Sequence, residues 1–225
     1  MADSEAIRRA VAEALRQHLG ESPRPIIDEA AVNAAAEGST LTIPPGALIT
    51  PLARALAVER RVKLVEGRPA AAPGERPVVA IGADHGGFPL KETLKADLQK
   101  NYTVIDCGTG STEAVDYPDY ALAVAELVRS GRAWRGIMID GAGIGSCMVA
   151  NKVPGVRAAL CYDYATAVNS REHNDANYLT LGAGLIGTAL AKQIVEVWLK
   201  TDFGGGRHQK RVDKIVAVDE QFRKS

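Results

Sequence analysis

From residue 77 onward, short apolar runs alternate with segments whose apolar residues recur at helical spacing. The apolar runs predict strands at 78–81, 102–105, 136–139, 156–161 and 178–181. The segments around them predict helices at 90–98, 120–128, 163–171, 186–200 and 211–222, with a further short helix after residue 145. Parallel strands need long crossovers, which are usually helices. The alternation therefore predicts an α/β fold, in which a five-stranded parallel sheet carries helices on both faces.

The first 76 residues are organised differently. Apolar residues at helical spacing predict an amphipathic helix over 4–19, and Ser-Pro-Arg-Pro (22–25) cannot continue it. Further patterns predict a helix near 27–36, an apolar stretch at 40–43, a helix near 50–60, a strand at 62–65 and a linker rich in Gly, Pro and Ala at 67–77. We therefore divide the chain into a helix at 1–20, a small α+β extension with its linker at 21–76, and a main domain at 77–225.

Composition excludes several classes of partner. Lys and Arg together number 27, as do Asp and Glu, so no net charge attracts nucleic acid or an anionic membrane surface. No apolar run approaches the roughly 20 residues that a membrane helix needs. The three cysteines lack metal-ligand spacing, and the N-terminus does not resemble a secretory signal, so we expect reduced thiols, a cytoplasmic location and no metal site.

Charged and small residues follow the predicted strands, where parallel α/β sheets bind their ligands. They lie in Gly-Ala-Asp-His-Gly-Gly (82–87) and Asp-Gly-Ala-Gly-Ile-Gly-Ser-Cys (140–147). Glycines at 141, 143 and 145 let the backbone approach a ligand and point its N–H groups at an anion, such as an enediolate oxygen or a phosphate. The alternative is a tight turn that binds nothing.

Several residues of these segments are candidates for proton transfer. His85 and His173 each have an aspartate close in sequence, and we expect both in turns at the same edge of the sheet. Asp140 and Cys147 flank the glycine turn, and either side chain could remove a carbon-bound proton.

Two further patterns concern phosphate and nucleotide binding. Arg207 and Arg211 share one helical face, where they could clamp a phosphate or simply be solvated. A Gly-x-Gly-x-x-Gly pattern at 182–187 would suggest a dinucleotide site, but the following helix runs into Phe-Gly-Gly-Gly (203–206) instead of a strand. We therefore predict no nucleotide cofactor.

Together, the motifs resemble those of the type B ribose-5-phosphate isomerase family, which includes the galactose-6-phosphate isomerase subunits. The resemblance covers residues 77–223, in which the motifs occur in the family's order: Gly-x-Asp-His-x-Gly, Asp-Tyr-Pro, Gly-x-Gly-Ile-Gly…Ala-Asn-Lys, Ser-Arg-x-His-Asn-x-x-Asn and Gly-Gly-Arg-His-x-x-Arg-Val. It implies a Rossmann-like five-stranded sheet and cofactor-free, metal-free interconversion of ribose 5-phosphate and ribulose 5-phosphate through a cis-enediolate. It also implies a homodimer with shared active sites, or a tetramer.

The resemblance assigns roles by position. It implies substrate binding by residues of the turns: Asp84, His85, Tyr117, Gly141, Gly143, Ile144, Gly145, Ser146 and Asn174. It implies phosphate binding by His85, Arg207 and Arg211, and assistance with ring opening by His173.

The chain departs from the family around the glycine turn. Many members have a cysteine base at the position of Asp140 and a hydroxyl residue at that of Ala142, and another branch has a glutamate at that of Ser146. We favour Cys147 as the base, because the start of a helix lowers a thiol pKa, with Asp140 as the alternative. These changes leave other pentose or hexose phosphates, and a sugar-phosphate binder without catalysis, as alternatives.

The N-terminal part carries a second resemblance. Leu-Ile-Thr-Pro-Leu-Ala-Arg (48–54) is similar to a segment found in bacterial microcompartment enzymes, and the helix at 4–19 resembles peptides that direct cargo into such shells. The resemblance implies shell proteins as partners and a location inside a microcompartment. The alternative is that the helix buries its apolar stripe against its own domain or a second copy of the chain.

Overall fold

The computed structural model describes residues 26–43, 47–66 and 76–223. These fall into two compact units, one on each side of residue 75. The amphipathic helix predicted at 4–19 and most of the predicted linker lie outside the described residues. No helix in the described parts of the chain is long and apolar enough to cross a membrane.

The smaller unit is a short α+β arrangement. Its elements are β1 (Ile26–Ile27), α1 (Glu29–Ala34), β2 (Thr40–Ile43), β3 (Leu48–Ile49), α2 (Pro51–Glu59) and β4 (Lys63–Glu66). Strands β1 and β3 pair in parallel, as do β2 and β4. Helix α1 is shorter than the predicted 27–36, because Asp28 caps it by accepting a hydrogen bond from the Ala31 amide at 3.0 Å. The core of the unit consists of small side chains: Val32, Ala53, Ala57 and Val62.

The larger unit contains all five predicted strands in one sheet. Its elements are β5 (Val78–Ala83), α3 (Phe88–Leu98), β6 (Thr103–Asp106), α4 (Tyr117–Arg129), β7 (Arg135–Asp140), α5 (Ile144–Ala150), β8 (Ala158–Leu160), α6 (Tyr164–Glu172), β9 (Tyr178–Gly182), α7 (Thr188–Lys200) and α8 (Gln209–Arg223). A 3-10 turn, Gly206–His208, precedes α8. The strands run in parallel in the order β6-β5-β7-β9-β8, which confirms the predicted five-stranded parallel sheet.

Helices cover both faces of this sheet. On one face, alternate strand residues such as Ile81, Ile137 and Leu179 pack with apolar side chains of α3, α6 and α7. On the other face, α4 packs against β5, β7 and α5. All six residues of β7 are buried, so this strand forms the centre of the unit and its last residue, Asp140, lies between the neighbouring strand ends. This position places the glycine turn at the middle of the carboxyl edge.

Candidate active site

The turn after β5 places a carboxyl group at the carboxyl edge of the sheet. The Asp84 amide donates to the Ile139 carbonyl at 3.2 Å, and Asp84 Oδ1 accepts a hydrogen bond from the Gly87 amide at 2.9 Å. The side chain is only 6% exposed. Burial raises the Asp84 pKa and the nearby charge of Asp140 raises it further, while the Gly87 hydrogen bond and His85 act in the opposite direction. Asp84 and Asp140 are therefore neighbouring carboxyl groups at one edge.

His85 and Tyr117 surround the same edge. The Nδ1 atom of His85 lies 3.2 Å from the amide nitrogen of Val115, which ties the imidazole to the segment that leads into α4. Tyr117 begins α4, and its phenol ring lies so close over Gly145 that a Cβ atom there would collide with it. Tyr117 therefore lies over the glycine turn, and His85 contacts the segment that immediately precedes Tyr117.

The carboxylate of Asp140 organises the glycine turn. Its Oδ1 accepts hydrogen bonds from the amides of Ala142, at 2.8 Å, and Gly143. Its Oδ2 accepts from the Ser146 amide, at 3.2 Å, and from the Ser146 hydroxyl. The amides of Ala142, Gly143 and Ser146 thus point at Asp140, although we expected the Gly143 amide to face a ligand. The turn is held by an acid that belongs to the chain itself.

The thiol of Cys147 faces strand β8. Cys147 is the fourth residue of α5, and its Sγ lies 3.6 Å from the Ala158 carbonyl and 3.5 Å from Nδ2 of Asn151. Burial raises the pKa of the Cys147 thiol, and polar neighbours, among them Asn151, act in the opposite direction without offsetting it. The expectation of a lowered thiol pKa is therefore wrong, because the side chain faces β8 and desolvation outweighs the effect of the helix end.

Asn151 has a structural role that the sequence analysis missed. Its Oδ1 accepts a hydrogen bond from the Ala158 amide at 2.9 Å, and its Nδ2 donates to the Ala158 carbonyl at 3.0 Å. The side chain thereby pairs with the backbone of β8, which is an edge strand, as another strand would. The asparagine of the Ala-Asn-Lys motif connects the end of α5 to the edge of the sheet.

A second polar cluster forms around His173. His173 ends α6, and its ring stacks on that of His208, with 4.1 Å between the ring centroids and 6° between the ring planes. Arg207 Nε donates a hydrogen bond to His208 Nε2 at 3.3 Å. The exposed side chains of Arg211, in the first turn of α8, and Asn174 lie close by in sequence. His208 is a member that the sequence analysis missed, although it stands in the Gly-Gly-Arg-His motif.

These two clusters lie at opposite edges of the sheet. Helix α6 starts at the carboxyl end of β8 and returns to the amino end of β9, so His173 lies at the amino edge. Asp84, His85 and Asp140 lie at the carboxyl edge. The expectation that His85 and His173 share one edge is therefore wrong within a single chain. In neither cluster, nor elsewhere in the described parts of the chain, do three His, Cys, Asp or Glu side chains come together as metal ligands could.

Comparison with known proteins identifies the family. The sequence profile described as Ribose/Galactose Isomerase matches residues 79–215. Ribose-5-phosphate isomerase B of Escherichia coli is 45% identical over 144 residues, which cover 64% of this chain and 97% of that protein. D-erythrulose-4-phosphate isomerase of Pectobacterium atrosepticum is 43% identical over 145 residues, which cover 64% and 95%. The solved structure of Clostridium thermocellum ribose-5-phosphate isomerase B matches with a TM-score of 0.63 at 51% identity, covering 64% of this chain and 99% of that one. The chain belongs to the ribose/galactose isomerase family.

Proposed function

We propose that this protein interconverts D-ribose 5-phosphate and D-ribulose 5-phosphate by moving a proton between C1 and C2 through a cis-enediolate. Such a reaction needs a base beside the two carbon atoms and polar groups that hold the sugar. The observation that carries the proposal is the pair of neighbouring buried carboxyl groups, Asp84 and Asp140, at the carboxyl edge of the sheet. Similarity to proteins named ribose-5-phosphate isomerase B supports the choice of substrate.

We assign the base to Asp140, and this assignment reverses our preference for Cys147. The Cys147 thiol faces the backbone of β8, and its raised pKa disfavours the thiolate that would be needed. The Asp140 carboxylate accepts three hydrogen bonds from backbone amides and a fourth from the Ser146 hydroxyl. Rotation of the Ser146 side chain frees one lone pair of Oδ2 to accept a proton, while the three hydrogen bonds from backbone amides keep the carboxylate in place.

We also propose that the active sites are shared between two copies of the chain. A strand of five residues, such as β9, spans roughly 17 Å, so one sugar phosphate does not reach from Asp140 to His173 within a single chain. A second copy could bring its His173, Asn174, Arg207 and Arg211 to the carboxyl edge of the first. Exposed apolar residues on α4 and α5, including Leu122, Ile144 and Met148, offer a surface for such a homodimer.

The proposed activity is tested by following ribulose 5-phosphate formation from ribose 5-phosphate with the full-length protein. We expect turnover without added metal. Asp140→Asn should lower kcat by roughly 10²–10⁴-fold, the usual contribution of a general base. Cys147→Ser, the matched control, should stay within a few-fold of the wild type. The opposite pattern would identify Cys147 as the base.

Absence of turnover would mean that ribose 5-phosphate is not the substrate. Exchange of the C2 proton with solvent would then be measured for tetrose, other pentose and hexose phosphates. Exchange with one of them would identify an isomerase for that sugar. Binding without exchange would identify a sugar-phosphate-binding protein that does not catalyse isomerisation.

We further infer, from the sequence pattern at 4–19, that the N-terminal segment docks the protein onto a microcompartment shell protein. An amphipathic helix gains stability by burying its apolar stripe against a partner. Deletion of residues 1–20 should abolish co-purification with shell proteins while ribose 5-phosphate turnover is retained. Unchanged co-purification would show that the segment has another role.

A further inference from the structure

A histidine pair at the amino edge carries an inference beyond the proposed base. The ring planes of His173 and His208 are almost parallel, with an angle of 6° between them, and the ring centroids are 4.1 Å apart. His208 is 8% exposed, whereas His173 is half-buried. The buried ring thus forms a fixed surface on which the more accessible ring lies.

Hydrogen bonds determine which nitrogen of each histidine carries the proton when the ring is neutral. A guanidinium only donates, so His208 Nε2 accepts from Arg207 Nε, and the ring proton of neutral His208 is on Nδ1. That Nδ1 atom is buried and has no hydrogen-bond partner among the described residues. On the other ring, the amide nitrogen of Asn169 lies 2.8 Å from His173 Nδ1 and donates to it. Neutral His173 therefore carries its proton on Nε2, which is left to act as a donor.

The surroundings of the pair disfavour a charge on His208. Burial lowers the His208 pKa, and His173, Arg207 and Arg211 lower it further, while Glu172 acts in the opposite direction. These four neighbours come from both segments that meet here, the end of α6 and the region around the start of α8. A neutral His208 can stack on His173 without the repulsion that two imidazolium rings would suffer.

We propose that His208 is a positioning residue of the isomerase, which holds the His173 ring in the orientation that presents its Nε2–H to the ring oxygen of the sugar. The proposal rests on the proposed function, since it concerns the ring-opening step of that reaction. Because His208 is only 8% exposed, the role proposed for it acts through His173 and not by contact with the sugar. Its contribution is to remove the rotational freedom of the His173 ring before the substrate binds.

Two variants of the full-length protein separate stacking from the other properties of His208. His208→Phe keeps a flat ring beneath His173, whereas His208→Leu removes it. We expect kcat for ribose 5-phosphate to fall about tenfold in the leucine variant and to stay within about threefold in the phenylalanine variant. Because both variants lose the acceptor for Arg207, any rise in KM should be common to the two. Equal kcat values in the wild type and both variants would overturn the proposal.

A second readout does not depend on activity. The ring proton resonances of His173, followed by NMR with labelled histidine, should keep their upfield ring-current shifts in His208→Phe and lose them in His208→Leu. Should the leucine variant not fold, His208→Met takes its place. Unchanged His173 shifts without the aromatic ring would contradict the stacking role. If the wild type does not turn over ribose 5-phosphate, the proposed function fails, and the NMR comparison alone decides whether His208 orients His173.

Discussion

At the scale of single residues, the same acid serves both the structure and the proposed chemistry. Asp140 is buried at the end of the central strand and accepts hydrogen bonds from three amides of the turn that follows it. A carboxylate held in this way cannot swing out of position, which suits a base that must meet one carbon-bound proton. A second carboxyl group, Asp84, lies close by in the same poorly solvated place, and its ionisation there costs stability.

This cost predicts the effect of removing the charge at Asp84. The folded state raises the Asp84 pKa above 3.8, so folding favours the protonated form, and the free energy of unfolding falls as pH rises from 3.8 through the folded-state pKa. At neutral pH the full penalty is present. Asp84→Asn should therefore raise Tm by about 2–4 °C, which corresponds to about 1 kcal/mol for a chain of this size, while it lowers turnover.

Thermal unfolding of the wild type and Asp84→Asn between pH 4 and pH 8 checks this expectation. The gain in Tm should shrink as pH falls toward 3.8, because the wild-type carboxyl group then becomes protonated. A loss of stability at neutral pH would mean that the hydrogen bond from the Gly87 amide needs the charged acceptor. In that case the repulsion between the two acids is the smaller effect.

At the scale of elements, the glycines that precede two of the helices of the larger unit have different surroundings. Gly87 precedes α3 and Gly187 precedes α7, and neither cap is made by a side chain. A Cβ atom on Gly87 would collide with the carbonyl group of Ile139 in β7, whereas one on Gly187 would meet nothing within 4 Å. The turn that carries Asp84 and His85 is therefore pressed directly against the backbone of the neighbouring strand.

The two glycines form a matched pair for mutation. Gly87→Ala should lower the free energy of unfolding by about 2 kcal/mol or more, because the backbone of β7 or of the turn must move. Gly187→Ala should change it by less than about 0.5 kcal/mol. Urea unfolding of both variants measures the difference. Equal stabilities would show that the turn before α3 can move away from Ile139 without consequence.

Elements with a strong local pattern could be predicted from the sequence, and contacts between distant segments could not. The five apolar runs of the main domain all became strands, but β1 and β3 have two residues each, too few for any pattern to be recognised. The edge at which His173 lies could have been predicted, since a helix over 163–171 after the fourth strand must return the chain to the amino edge. The stack of His173 on His208 joins segments 35 positions apart, and no local pattern reports it.

At the scale of the whole molecule, the two polar clusters are each incomplete. The carboxyl edge carries Asp84 and Asp140, and the amino edge carries His173 and the two arginines, with the sheet between them. A symmetric dimer would complete two active sites, because a two-fold axis makes every contact between the chains in duplicate. Each of the two sites would then combine the carboxyl edge of one chain with the amino edge of the other.

Shared sites predict that two inactive variants restore activity when they are combined. In a heterodimer of Asp140→Asn and His173→Ala chains, one site carries both substitutions and the other carries neither. Random mixing makes half of the dimers heterodimers, so about a quarter of wild-type activity should return. The two variants are unfolded, mixed and refolded together, and ribose 5-phosphate turnover is compared with that of each variant refolded alone. If each site lay within one chain, every site in the mixture would still carry one substitution, and the activity would not rise above that of the separate variants.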